Sequence, residues 1–244
     1  DISGNKITTE ELGVVMSDAA KTIGHKVDIY ASDACLMAMI EIAAEMSSSV
    51  GHFVGSQELE PGEGWPYQAF LSKLAANPTA DAAQFSTYLV EEYHKAYSGG
   101  VYGTRDNTMS ALDLSHLGSL TESIANLAKE LKSQSPAGVS ALKASNKKAQ
   151  TFYRTDFKDL SDLVTLIEGN TKVNVSKSTL TEVKEALAKT IISNKTSSKY
   201  KKAMGLSIWS PDYSYDSEGS LKRYKGLEFN RQTGWGEVIE AITK

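Results

Sequence analysis

Between Lys26 and Met46 the chain passes from one apolar run to another across a short polar turn. Residues 27–31 form a short apolar run suited to a buried strand. Residues 36–46 are apolar almost all round, the mark of a helix buried on most sides. A buried strand followed at once by a buried helix is the building unit of a layered α/β fold.

The rest of the sequence repeats that alternation. Thr8-Thr9-Glu10-Glu11 is a capping box, and Leu12, Val15, Met16, Ala19 and Ile23 follow on one helical face until Gly24. Residues 52–56 are a second strand. Residues 58–66 are a loop, because Pro61, Gly62, Gly64 and Pro66 would break any helix there. Helices are predicted over 67–76 and 80–97, the second capped by Thr79, then a turn over 98–103 and a third strand over 109–112. Helical periodicity resumes near Ser115 and runs through 141–150, 160–167 and 180–191. The lysine- and serine-rich residues 193–202 read as a solvated loop. Residues 205–209 read as a fourth strand, 227–229 as a short extended piece and 235–242 as a terminal helix. This order predicts a single α/β domain over 1–244, with a largely parallel central sheet and helices on both faces. Residues 114–192 are a helix-rich layer or insertion within it.

A chain of 244 residues can bury a large core. Its net charge of −4 argues against a nucleic-acid partner. The longest apolar stretch carries Glu41 and Glu45 and is too short for a membrane span. The single cysteine excludes an intramolecular disulfide and disfavours a cysteine metal cluster. The sequence opens at Asp1 with no signal segment, which suggests a trimmed chain or a cut precursor.

Chemistry concentrates at Cys35, at the junction between the first strand and the apolar helix. In parallel sheets ligands gather beyond the strands' carboxyl ends. Unpaired N–H groups at a helix start favour a thiolate and can hold an oxyanion. A lone cysteine is also commonly a small buried hydrophobe. Asp33, two residues earlier, would oppose thiolate formation by like charge unless its carboxylate pairs with a substrate cation. Its other reading is a helix cap.

The segment Asp33-Ala34-Cys35-Leu36-Met37, with Glu41 following, resembles the nucleophile motif of the clostripain family of cysteine peptidases. Val54-Gly55-Ser56-Gln57-Glu58 and Glu60-Pro61-Gly62-Glu63-Gly64-Trp65-Pro66-Tyr67 resemble that family's next strand and glycine-rich loop. Met109–Leu114 and Gly205–Pro211 are looser matches. The resemblance implies a caspase-like αβα sandwich and hydrolysis of peptide bonds after Arg or Lys. It makes Cys35 the nucleophile of a thioester acyl-enzyme and Asp33 the reader of the basic side chain. Glu58, Glu60 and Glu63 would add negative potential or form an exposed acidic loop. Trp65 would line the substrate groove or anchor the loop. A secreted or envelope-associated bacterial protein is also implied. No cofactor is needed for the chemistry; some family members need calcium, which this sequence does not locate.

The reaction needs a histidine to protonate the leaving amine. His25 and His52 begin their strands, His94 lies in an amphipathic helix, and none of the four histidines precedes a glycine as the family's does. His116, after the third strand, is the one placed to approach the carboxyl edge. The resemblance offers another source: precursors in this family are cut between histidine and cysteine, so a light chain would carry the base. The alternatives are an internal His116 enzyme and a non-catalytic binding module with Cys35 buried. Asp1-Ile2-Ser3-Gly4-Asn5 fails as an EF-hand, since Lys6 stands where glycine belongs and Leu12 where Glu belongs. Asn174-Val175-Ser176 and Asn194-Lys195-Thr196 match the glycosylation triplet, which is common by chance.

Overall fold

The structure, a computed structural model, describes residues 6–213 and 220–244. The opening Asp1–Asn5 segment lies outside them. Helix α1 (Thr9–Ile23) opens on the expected capping box: Thr8 accepts from the Glu11 N–H and Glu11 from the Thr8 N–H. Strand β1 (Val27–Ala31), α2 (Ile40–Met46) and β2 (Val50–Gly55) follow. Next come α3 (Tyr67–Ala76), α4 (Ala82–Tyr97) and a small hairpin of β3 (Ser98–Gly100) and β4 (Gly103–Thr104). Asp81, not Thr79, caps α4.

Strand β5 (Thr108–Asp113) leads into α5 (Leu117–Lys132), α6 (Pro136–Lys148), β6 (Phe157–Asp159), α7 (Leu160–Glu168) and α8 (Lys177–Thr190). The chain returns through β7 (Ile191–Thr196) and β8 (Ser207–Trp209), then α9 (Ser220–Tyr224), α10 (Glu228–Thr233) and α11 (Trp235–Thr243). Residues 193–196 of the expected solvated loop thus lie in β7, and the piece expected to be extended near Leu227 opens α10.

The main sheet has the order β1-β2-β5-β7. Only β1 and β2 run parallel; β5 is antiparallel to both β2 and β7. The sheet is therefore mixed, not largely parallel. One helix, α2, joins the parallel pair. Two helices, α3 and α4, separate β2 from β5, so the chain comes back to the end it left: Gly55 at the exit of β2 pairs with Ser110 near the entry of β5.

Side chains alternate across this sheet as a pleat requires. Phe53 and Leu112 join a large core with α2, α5–α8, α10 and α11. Val54, Met109 and Ala111 face a smaller core with α3, α4 and Trp65. Helices cover both faces, giving an αβα sandwich, and one core joins the helix-rich segment to the sheet. Strand β1 is an edge strand with no fully buried residue, contrary to the expected buried strand. Beside it, α1 leaves Val14, Val15 and Ile23 exposed. Helix α1 approaches α2 so closely that a Cβ on Gly13 would lie 2.8 Å from the Glu45 carbonyl oxygen.

Candidate active site

Cys35 lies beyond the carboxyl end of β1 and is exposed. The Ser32 N–H still donates to the Val54 carbonyl at 3.0 Å. The chain then reverses, and the N–H groups of Leu36 and Ala38 donate to the carbonyls of Glu58 (3.1 Å) and Ser56 (2.9 Å). Leu36 takes the left-handed conformation, with φ 62°. That is rare for a bulky residue and costs about 1–3 kcal/mol, a strain typical of functional turns.

This reversal corrects the expected helix start. Residues 35–36 form a turn, Met39 is extended and bridged to Ser207, and α2 begins only at Ile40. An apolar stretch does not distinguish extended from helical backbone, and here main-chain partners on both sides decide. The thiol therefore gains nothing from a helix terminus. Its partner is instead the Glu60 N–H, 3.2 Å from Sγ. Asp33 does not cap α2 either, because Met39 holds that position.

The loop after β2 is built from within. Thr108 Oγ1 accepts from the N–H groups of Gln57 (3.0 Å) and Glu58 (3.1 Å). The Gln57 amide donates to Asp159 and Ser207, both at 3.0 Å, and accepts from the Gly205 N–H at 2.9 Å. Burial pushes Asp159 up to about 6, against the Gln57 hydrogen bond that lowers it. Glu58 is buried and accepts from the Leu59 and Tyr153 N–H groups, so its carboxylate ties the loop to the segment before β6.

Beyond Glu58 the loop brings acids together. Tyr67 Oη donates to Asp33 at 2.7 Å, and the Trp65 indole N–H donates to Glu60 at 2.7 Å. Burial pushes Glu60 up to about 8; the Trp65 and Ala34 N–H groups pull it down, while Asp33 pushes it further up. Gly64, with φ 71°, faces the same place: a Cβ there would lie 3.7 Å from Asp33 Oδ2. Tyr97 pins this glycine by donating to its carbonyl at 2.7 Å. Behind them sits Tyr93, only 1% exposed. Its hydroxyl and Glu60 Oε1 are buried without a hydrogen-bond partner.

The expected acidic loop is thus divided: Glu58 is buried, Glu60 is half-buried, and Glu63 is exposed with its carboxylate 3.8 Å from Arg105. Trp65 is 5% exposed and packs edge-on against Phe70 and Tyr93. It anchors the loop and does not line a groove. Sequence reasoning missed Tyr67 and Tyr93. Tyr67 closes the glycine-rich block, which was its signal; Tyr93 has none, being one aromatic among several in α4.

None of the histidines among the described residues bonds the thiol. His25 Nδ1 lies 2.7 Å from the Lys26 carbonyl and His52 Nδ1 3.3 Å from the Asp28 carbonyl. His94 meets Asn107 Oδ1 at 2.9 Å. His116 lies 3.7 Å from Asp113. Because β5 is antiparallel, Asp113 pairs with His52 toward the entry of β2. His116 therefore sits at the opposite end of the sheet from Cys35, and the internal His116 reading fails. The buried-cysteine alternative fails too, since Cys35 is exposed. Among the described residues, no group of three or more His, Cys, Asp or Glu is placed to hold a metal ion. No helix among them is long and apolar enough to cross a membrane.

The sandwich is shared with solved cysteine proteases. One is a cysteine protease of B. fragilis, with TM-score 0.68 and 17% identity over 99% of this chain and 98% of that one. A clostripain from Bacteroides thetaiotaomicron gives TM-score 0.68 and 20% identity, covering 93% and 95%. A zymogen C11 protease from Parabacteroides distasonis gives 0.65 and 18%, covering 89% of this chain and 62% of that one. No curated protein sequence compared with the chain matches it. The clostripain family model matches residues 1–241, and the chain belongs to that family of cysteine peptidases.

Proposed function

We propose that this protein is an endopeptidase that cleaves after Arg or Lys through a thioester on Cys35. The observation that carries the reading is the exposed thiol beside two carboxyl groups, Asp33 and Glu60, that have no cation partner among the described residues. Sγ accepts from the Glu60 N–H at 3.2 Å, which holds the sulfur in place at the rim of the sheet. Asp33, two residues away, accepts from Tyr67, and neither Asp33 nor Glu60 pairs with a cation among the described residues. A carboxylate so placed suits a guanidinium or ammonium. Glu63 lies further out against Arg105, and Trp65 anchors the loop through its bond to Glu60. The peptide inhibitor in the B. thetaiotaomicron clostripain structure reads VLTK, with lysine last.

In the reaction, the thiolate attacks the carbonyl carbon and the leaving amine takes a proton. The N–H groups of Leu36 and Ala38 are spent on carbonyls, whereas the Cys35 N–H makes no hydrogen bond among the described residues. It is the group left to face the oxyanion. The base comes from a companion light chain, cut from the same precursor, whose strand would pair with the open edge of β1. The exposed Val14, Val15 and Ile23 of α1 adjoin that edge. A zymogen form of the P. distasonis relative agrees with activation by processing, and a secreted relative from B. thetaiotaomicron with action outside the cell.

The test is labelling of the two-chain protein with an arginyl chloromethyl ketone, read by mass spectrometry. Cys35 is expected to carry the adduct. Asp33→Ala is expected to slow labelling by basic reagents about 100-fold, the scale of a lost charge-assisted contact of about 3 kcal/mol. An inert thiol in the wild type would sink the enzyme reading; undiminished labelling of Asp33→Ala would sink the pocket.

A further inference from the structure

We propose that Asp33 and Glu60 share one proton, and that a cationic side chain entering beside Asp33 expels that proton to solvent. The proposal rests on the basic-substrate reading and adds a proton-linked step to recognition.

Asp33, exposed on the reversal after β1, and Glu60, half-buried on the following loop, are drawn together: the Glu60 N–H bonds Cys35 Sγ, while Tyr67 and Gly64 of the same loop region meet Asp33. The groups facing Glu60 are Asp33 and Cys35 from the reversal, Trp65 from its own loop, Tyr67 from α3, and Tyr93 and Tyr97 from α4. None is a cation. Two adjacent carboxyls without a counter-charge do not both ionise. The buried member keeps the proton because its Oε1 has no partner and a neutral acid is cheaper to desolvate. Asp33 accepts from the Tyr67 hydroxyl and is open to solvent, so it is the member an entering cation meets. The elevation of Glu60 to about 8 agrees with that division.

A guanidinium or ammonium at Asp33 reverses the balance, since a nearby cation favours the second carboxylate. The pair begins with one proton and one negative charge. It ends with two negative charges facing one cation, the proton having passed to the buffer. No bond to carbon changes and no co-reactant is needed. Glu60 is a positioning residue here: its N–H holds the thiol while its carboxyl adjusts the charge of the pocket.

Benzamidine binding to the two-chain protein, measured calorimetrically at pH 7 in buffers of different ionisation enthalpy, tests this. Close to one proton is expected to be released per benzamidine bound. Affinity is expected to rise by about tenfold per pH unit from pH 6 and to level off near pH 8. Glu60→Gln is expected to bind benzamidine with no proton release and a flat profile. Binding by the wild type without proton release overturns the shared proton alone, and so does an unchanged profile in Glu60→Gln. No binding by the wild type overturns the basic pocket as well. If Glu60→Gln fails to fold, the wild-type proton count still decides.

Discussion

At the residue scale, a buried acid held by polar contacts without a cation bears on how stability varies with pH. Glu41 is fully buried in α2 and accepts from the Trp209 N–H and the Tyr224 hydroxyl, both at 2.9 Å. Its other oxygen has no partner. Burial, outweighing those two hydrogen bonds, pushes it up to about 7 from 4.5. A raised acid favours the folded state most below the unfolded value, and that advantage is lost as pH climbs from 4.5 to about 7. The melting temperature should therefore fall across that window, and Glu41→Gln should flatten the fall, by thermal unfolding at stepped pH. An equally steep fall in Glu41→Gln would remove Glu41 as the source. The motif around Cys35 was legible because it consists of side-chain types in a row. The contact that holds the thiol was not, because it comes from the main chain of Glu60, and a backbone N–H leaves no trace in residue identity.

At the element scale, what the sequence carried best was local chemistry. Thr8 and Glu11 announce α1, and Pro66 followed by an amphipathic run gives α3 its observed bounds, Tyr67–Ala76. Strand direction was not legible, because a strand has the same period either way and its orientation follows from how many helices precede it. Strand β7 was hidden for a different reason. Its Ser193, Asn194 and Lys195 are the polar residues that edge strands use, so the pattern looks like a solvated loop. The other edge, β1, lacks such guards over Ile29–Ala31. Hydrogen exchange should find β1 amides poorly protected in this chain alone and strongly protected in the two-chain protein. Equal protection in both would overturn the proposed pairing of a companion strand with β1.

At the scale of the whole molecule, the helix-rich segment does not stand apart. Leu120, Ile124 and Leu127 of α5 share one core with Phe53 of β2, Val183 of α8 and Trp235 and Ile239 of α11. Lys132 at the end of α5 also bonds Glu237 of α11 at 2.5 Å. Contacts so distributed favour one cooperative unit. Chemical unfolding followed by tryptophan fluorescence and by far-ultraviolet circular dichroism should give coincident single transitions. Separated midpoints would make residues 114–192 a domain of their own.

The bare flank formed by β1 and the outer side of α1 has a practical corollary. Left uncovered, this flank offers a template of unsatisfied amides next to greasy surface, the recipe for edge-to-edge clumping. If the proposed light chain covers this flank, yield in soluble form should hinge on co-producing both pieces, or on keeping them joined until the fold has closed around them.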